Sequence, residues 1–248
     1  MQRYFVNEKS NNNLILENND LHHIKNVMRN KVGELIECIY NEKLYICKII
    51  DLNSNKVEII EELNDNNESN YDITIAIALV KEQKMDLILQ KLTELGVNRI
   101  IPVKMERSIV KLDKEKFNKK KERWQKICKE ASEQSKRNKI PEITEIMTIE
   151  ELGRLNFDKK FVCSTKSTEN LVNNYLQDNR NYAKMIFAIG PEGGIAPKEE
   201  EKLISQGFIP ISLGSRIMRV ETAAIYIGCI TNFCSMRWGL WLIFFLLV

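Results

Sequence analysis

Twice in its final third this chain runs from an apolar strand pattern through a glycine turn directly into a helix. The first instance is KMIFAIGPEGGIAPKEEEKLISQG, residues 184–207, and the second is FIPISLGSRIMRVETAAIYIGC, residues 208–229. An apolar run without alternation, such as KMIFAI, suits a strand buried on both faces, as in a parallel sheet covered by helices. Such a sheet offers ligands the carboxyl edge of its strands, where these turns fall. Gly190, Gly193 and Gly194 there permit positive φ and let a bound molecule come close to the backbone. Pro197 suits a first helical turn, and the acids of KEEE lie where the helix dipole favours them. The spacing matches neither the dinucleotide fingerprint nor a Walker loop, so nothing in it specifies a phosphate cradle. A purely structural turn accounts for this first stretch equally well. The second join adds Arg216, Arg219, Glu221 and Thr222. A capped helix start could explain Glu221 and Thr222, but two arginines and a glutamate at a second strand end favour a ligand site.

The rest of the chain supports an α/β reading. Up to about residue 70 the runs RYFV, LIECIY, LYICKII and KVEIIEEL are short and β-like, with one helical stretch at DLHHIKNVMRN. They suggest a small barrel or curled sheet. The polar stretch NDNNESNY reads as a linker. Beyond it strands and helices alternate: DITIAIALV, then EQKMDLILQKLTELG with Met85, Ile88, Leu92 and Leu95 on one face and Gly96 as stop, then RIIPV. A long basic helix follows, its buried stripe expected at Phe117, Trp124, Ile127 and Ala131. The strands EITEI, KKFVCST, KMIFAIG and FIPISLG come after it, separated by helical segments. This is βαβ organisation with a mainly parallel sheet. At 248 residues, 44% of them hydrophobic, the chain has room for one such domain and a smaller companion. The division expected is 1–70 and 71–248.

Charge is segregated. Between Lys104 and Lys139 there are 14 Lys/Arg against 6 Asp/Glu, an excess of eight in a chain whose net charge is only +3. Such a run is usually a solvated helix face, and contact with nucleic acid is the alternative. The six cysteines form no CxxC pair and the two histidines, His22 and His23, are adjacent, so no zinc framework or other metal site is expected. Free thiols point to a reducing, cytoplasmic setting, and MQRYFVNEKS lacks the apolar core of a signal peptide. The stretch Leu240–Val248 is wholly apolar, but its nine residues are well short of the roughly 20 a helix needs to cross a bilayer. A buried helix end or a partner surface is expected there, with no membrane contact.

The two loops, IGPEGG and SLGSRIMRVETAA, in this order and about twenty residues apart, resemble the cofactor-binding loops of SPOUT methyltransferases. The whole chain is similar to the bacterial 16S rRNA uridine-N3 methyltransferase family, RsmE, from RYFV and HHIKNVMRNKVGE through KEQKMDLILQKLTELGV, ERSIVK and EASEQSKRNKIP to the loops. The likeness extends to about Asn232; the closing CSMRWGLWLIFFLLV departs from the family pattern. It implies a PUA-like RNA-binding β-barrel over 1–70 and a trefoil-knotted α/β methyltransferase domain over 71–248. It also implies S-adenosyl-L-methionine as methyl donor and a homodimer.

By the same resemblance Gly190, Glu192, Gly193 and Gly194 border the cofactor, Leu213, Gly214, Arg219, Thr222 and Ala223 line its adenine side, and Thr165 adds a third contact. Transfer from a sulfonium to a ring nitrogen needs alignment and removal of the N3 proton. Arg219 is the candidate for stabilising the uridine anion, and Glu221 for orienting it or touching the base. The N3 edge is occupied in paired RNA, so the target base must be single-stranded or extruded. Gln134, Arg137, Arg107, Arg29 and Arg3 are the candidate RNA contacts in 16S rRNA or the small subunit. Competing readings are a noncatalytic RNA-binding protein with an α/β domain, a SPOUT enzyme acting on another RNA, and a different nucleotide-dependent α/β enzyme.

Overall fold

The computed structural model describes residues 1–167, 170–177 and 184–245, with 173, 174 and 236–245 as backbone only. The chain divides into two compact units, Met1–Glu68 with Lys129–Ile140, and Ser69–Cys128 with Pro141–Val248.

In the first unit, short β-branched and aromatic runs form a six-stranded sheet from β1 (Arg3–Phe5), β2 (Glu8–Ser10), β3 (Asn13–Ile15), β4 (Leu35–Tyr40), β5 (Lys43–Ile49) and β6 (Lys56–Leu63). The strand order is β1-β4-β5-β6-β3-β2, with only the β1–β4 pair parallel. β4 and β5 are joined by a two-residue turn in which Asn41 and Glu42 both have positive φ, matching the right-handed twist of the strands. One face buries Tyr4, Leu14, Ile36, Cys38, Cys47, Ile49 and Val57 together with Ile24. Ile24 comes from the segment expected as a single helix, which is α1 (Asn18–His22) followed by a wider turn over His23–Val27. There Met28 N–H donates to His23 O, five residues back.

The segment 129–140 is bound into this unit by buried charge. Arg3, 2% exposed, donates to Glu37 at 2.8 Å, to the Arg137 carbonyl and to Asn138 Oδ1. The Glu68 carboxylate accepts from Arg137 Nη2 at 2.6 Å and from the backbone N–H groups of Asn138 and Lys139.

The second unit takes the chain through β7 (Asp72–Ala78), α2 (Glu82–Glu94), β8 (Arg99–Val103), α3 (Lys114–Gln134), β9 (Glu142–Ile143), α4 (Ile149–Gly153), β10 (Lys159–Cys163), α5 (Val172–Gln177), β11 (Lys184–Ile189), α6 (Pro197–Ser205), β12 (Ile209–Ile211) and α7 (Val220–Phe245). The last turns of α3 belong to the first unit. All its strands are parallel, in the order β12-β10-β11-β7-β8-β9. Ala76, Ala78, Ile101, Val103, Val162, Ile186 and Ala188 of the central strands are buried with Leu152 of α4 and Leu203 of α6. α2 buries Met85, Ile88, Leu89 and Leu92, and it packs on α7 where Gly228 meets Leu92 and Leu95. On α3 Phe117, Trp124 and Ala131 are buried as the period requires, but Cys128 takes the place expected for Ile127, which is only half-buried. No helix among the described residues is long and apolar enough to cross a membrane. Residues 246–248 of the apolar tail lie outside the described residues.

Candidate functional site

Because every strand of the second sheet is parallel, its loops segregate by strand end. Thr165 follows β10, Gly190–Gly194 follow β11, and Leu213–Gly214 follow β12, and these three strands are neighbours. The expected cofactor contacts therefore share one edge of the sheet. β11 lies beside β7, the first strand of the unit, so the chain order reverses at this point, as at the ligand crevice of open α/β sheets.

Two glycines of the first loop are demanded by its geometry. A Cβ on Gly190 would lie 2.5 Å from Ile195 Cγ1 and 2.9 Å from the Ile195 backbone nitrogen. Gly194 has φ +71°, and a Cβ there would meet no heavy atom within 4 Å, so open space adjoins the turn. Gly194 N–H closes the turn on Pro191 O at 2.8 Å. Arg107 Nη1 donates to Gly193 O at 3.0 Å, tethering the loop to the segment after β8. Pro197 opens α6, and the Glu199 carboxylate accepts from the N–H groups of Ala196 and Glu106.

The second loop is fixed by Ser212 Oγ, which accepts from Gly214 N–H at 3.2 Å. Arg216, Arg219 and Thr222 are exposed beyond it, Leu213 and Glu221 are half-buried, and Ala223 is buried. One residue the sequence reading passed over joins the two loops. Lys84, in the first turn of α2, places Nζ 2.8 Å from Glu192 of the first loop and 3.5 Å from Glu221 at the head of α7. The Lys84 ammonium holds the Glu192 carboxyl below the usual range, and Glu192 raises Lys84 in turn. The available signal was position: a lysine in the first turn of the helix that follows a strand buried from Ile73 onward reaches the same sheet edge as the loops. Glu221, expected to orient Arg219, has Lys84 as its ion partner among the described residues.

The expected RNA contacts separate by exposure. Arg29, Arg107 and Gln134 are exposed, and Arg29 has φ +55°. Arg3 and Arg137 are 2% and 3% exposed. Their guanidinium groups are committed to Glu37 and Glu68 within the first unit, a structural task in place of a phosphate contact. The basic helix is also less free than its composition suggests. Lys119 pairs with Glu115, Lys120 and Arg123 with Glu82, Lys121 with Glu145, and Lys129 with Asp20. Among the described residues no group of three or more His, Cys, Asp and Glu could hold a metal ion.

The RNA methyltransferase domain family matches residues 67–232, and the RNA methyltransferase PUA domain family matches residues 16–62. Ribosomal RNA small subunit methyltransferase E of Mesomycoplasma hyopneumoniae is 40% identical over 92% of this chain and 97% of its own length. The protein of that name from Bacillus subtilis is 35% identical over 91% of this chain and 94% of its own. The crystal structure of a ribosomal RNA small subunit methyltransferase E from Neisseria gonorrhoeae bound to S-adenosyl methionine superposes with a TM-score of 0.83. It has 32% identity and covers 94% of this chain and 97% of that one.

Proposed function

The chain belongs to the ribosomal RNA small subunit methyltransferase E family, and we propose that it methylates N3 of a uridine in 16S rRNA with S-adenosyl-L-methionine as donor. The observation that carries the reading is the pair of loops at the same ends of β11 and β12, the two strands that flank β10, tied together by Lys84 through Glu192 and Glu221. The fit to the cofactor rests on the close backbone approach at Gly190 and the open space over Gly194. Gly190, Glu192, Gly193 and Gly194 would border it on one side, Leu213, Gly214, Arg219, Thr222 and Ala223 on the other, and Thr165 at the end of β10. When bound, the cofactor supplies an electrophilic methyl group on a sulfonium.

The work left to the chain is alignment and charge. Uridine N3 attacks only as the anion, and the exposed Arg219 guanidinium at the head of α7 is placed to stabilise that charge at the uracil carbonyl oxygens. Glu221, paired to Lys84, sets the position of the α7 head and hence of Arg219. The first unit and its PUA-like domain, with the division near residue 70, would hold the RNA through exposed groups such as Arg29. Arg107 would contact it beside the first loop, and Gln134 would contact it from the first unit. The same reading includes a trefoil knot at the loops, a homodimer and a cytoplasmic location.

The test is incubation with a labelled methyl donor and undermethylated small-subunit RNA or particles, followed by mapping of the modified nucleoside. Label on uridine N3 supports the proposal; label on another atom or RNA, or none with cofactor bound, overturns it.

A further inference from the structure

A cavity of about 600 Å³ lies at the same edge of the parallel sheet, beyond the ends of β7 and β8 and against the starts of α4 and α6. Its walls mix two chemistries. Leu79, Met105, Val110, Leu112, Ile146 and Ile149 give it an apolar surface. Lys104, Lys111 and Lys198 at its border are exposed and carry no carboxylate partner among the described residues. The acids nearby are mostly committed: Glu150 pairs with Lys202, and both Glu199 oxygens accept from backbone N–H groups. Glu106 alone is left against three free lysines, so the cavity favours an anion.

Ser108 adds a second observation at the cavity wall. It lines the cavity, is 6% exposed, and its hydroxyl has no hydrogen-bond partner among the described residues. Burying a hydroxyl without a partner is costly, and native proteins rarely tolerate it except where ordered water, an ion or a ligand completes the bond. Size agrees as well, since the volume is within the range of small-molecule sites and exceeds what a single base requires.

We propose that this cavity receives one unstacked nucleotide of the RNA strand flanking the target uridine. The base would lie on the apolar wall, with the enclosed Ser108 hydroxyl turning to meet its edge, and its phosphates would lie among Lys104, Lys111 and Lys198. The inference rests on the RNA methyltransferase reading but names a site separate from the cofactor loops. Recognition of this kind, apolar contact for the base and lysines for the backbone, is the general mode for single-stranded RNA. The cavity borders that loop system through Arg107, which precedes Ser108 and holds Gly193. A base seated here would hold the strand close to the transfer site.

The experiment compares the wild type with Ser108→Ala, with Lys111→Ala/Lys198→Ala, and with Lys119→Ala/Lys121→Ala as a charge-matched control on α3. Methyl transfer by the wild type first establishes the reaction, so its failure would sink the functional reading and not this site. Given transfer, each cavity variant should raise KM for RNA about tenfold or more, and the lysine pair should lower the salt slope by one to two phosphates. Cofactor affinity should hold, and the control should change little. RNA carrying 4-thiouridine beside the target should crosslink to the 104–112 segment. Wild-type KM and salt slope in both cavity variants, or crosslinks confined to other segments, would overturn the proposal. Loss of binding to a protein partner with RNA kinetics intact would do so too, reassigning the cavity to a peptide.

Discussion

Gly190→Ala tests whether the first loop is shaped by a contact or only by chain flexibility. The added methyl would stand 2.5 Å from Ile195 Cγ1, 2.9 Å from the Ile195 nitrogen and 3.3 Å from the Gly194 carbonyl carbon. Ile195 is packed against the buried cluster of Ile186, Ala188 and Leu203, so its side chain has little room to turn away. The backbone nitrogen can withdraw only if the Pro191–Gly194 turn opens. Overpacking of this kind costs about 1–3 kcal/mol. For a chain of this size each kcal/mol moves the melting temperature by about 2–4 °C, so a fall of roughly 2–12 °C is expected. Cofactor binding should weaken further, because the displaced turn carries Glu192 and Gly194. Gly193→Ala is the comparison: there the nearest atom to the new methyl is Arg107 Cβ at 3.4 Å, an ordinary contact, and stability should barely move. Differential scanning calorimetry with and without S-adenosyl-L-methionine, and titration calorimetry for affinity, measure both effects. If Gly190→Ala melts and binds like the wild type, the close-approach argument is wrong and the glycine marks a turn without consequence.

Lys84→Met should release Glu192 and Glu221 from each other. The Glu192 carboxyl, now held low by Lys84, should titrate at higher pH by NMR, and single-turnover transfer should slow by up to about 100-fold through loop misplacement; an unmoved Glu192 titration would show the pair does not form. Methyl transfer should accelerate with pH until the bound uridine is ionised, with rates falling in the order wild type, Arg219→Lys, Arg219→Ala and cofactor affinity falling much less than rate. Identical pH profiles for all three proteins would make Arg219 a spectator. In the first unit, burial pushes the Glu133 carboxyl up to about 7, against the opposing pull of Lys129. Its folded state therefore holds the proton more tightly than the unfolded state, so stability present at acid pH is lost as pH rises from the ordinary carboxylate range through 7. Glu133→Gln should flatten that decline and stabilise the protein at pH 8, by on the order of 3 kcal/mol at most; melting curves from pH 5 to 8 that keep the wild-type slope would refute it.

The parallel sheet was legible because its strands are apolar on both faces, and the positions of Gly190 and Gly194 were legible because they end such a strand. Local pattern could also place Pro197 at a helix start and Met85, Ile88 and Leu92 on one helical face, since these depend on neighbours a few residues away. Arg3, Arg137, Lys84 and Ser108 were decided elsewhere. A sequence shows an arginine as a charge, but whether that charge meets solvent or a buried carboxylate depends on Glu37 and Glu68, 34 and 69 residues distant in the chain. Lys84 gains its place only when β11 settles beside β7 and brings Glu192 within 2.8 Å across 108 residues. The basic excess of α3 likewise looks like a nucleic-acid surface until Glu82, Asp86 and Glu145 are folded against it. Period and turn chemistry are short-range and survive in a linear reading, whereas the partner of a charge and the wall of a cavity are set by long-range packing.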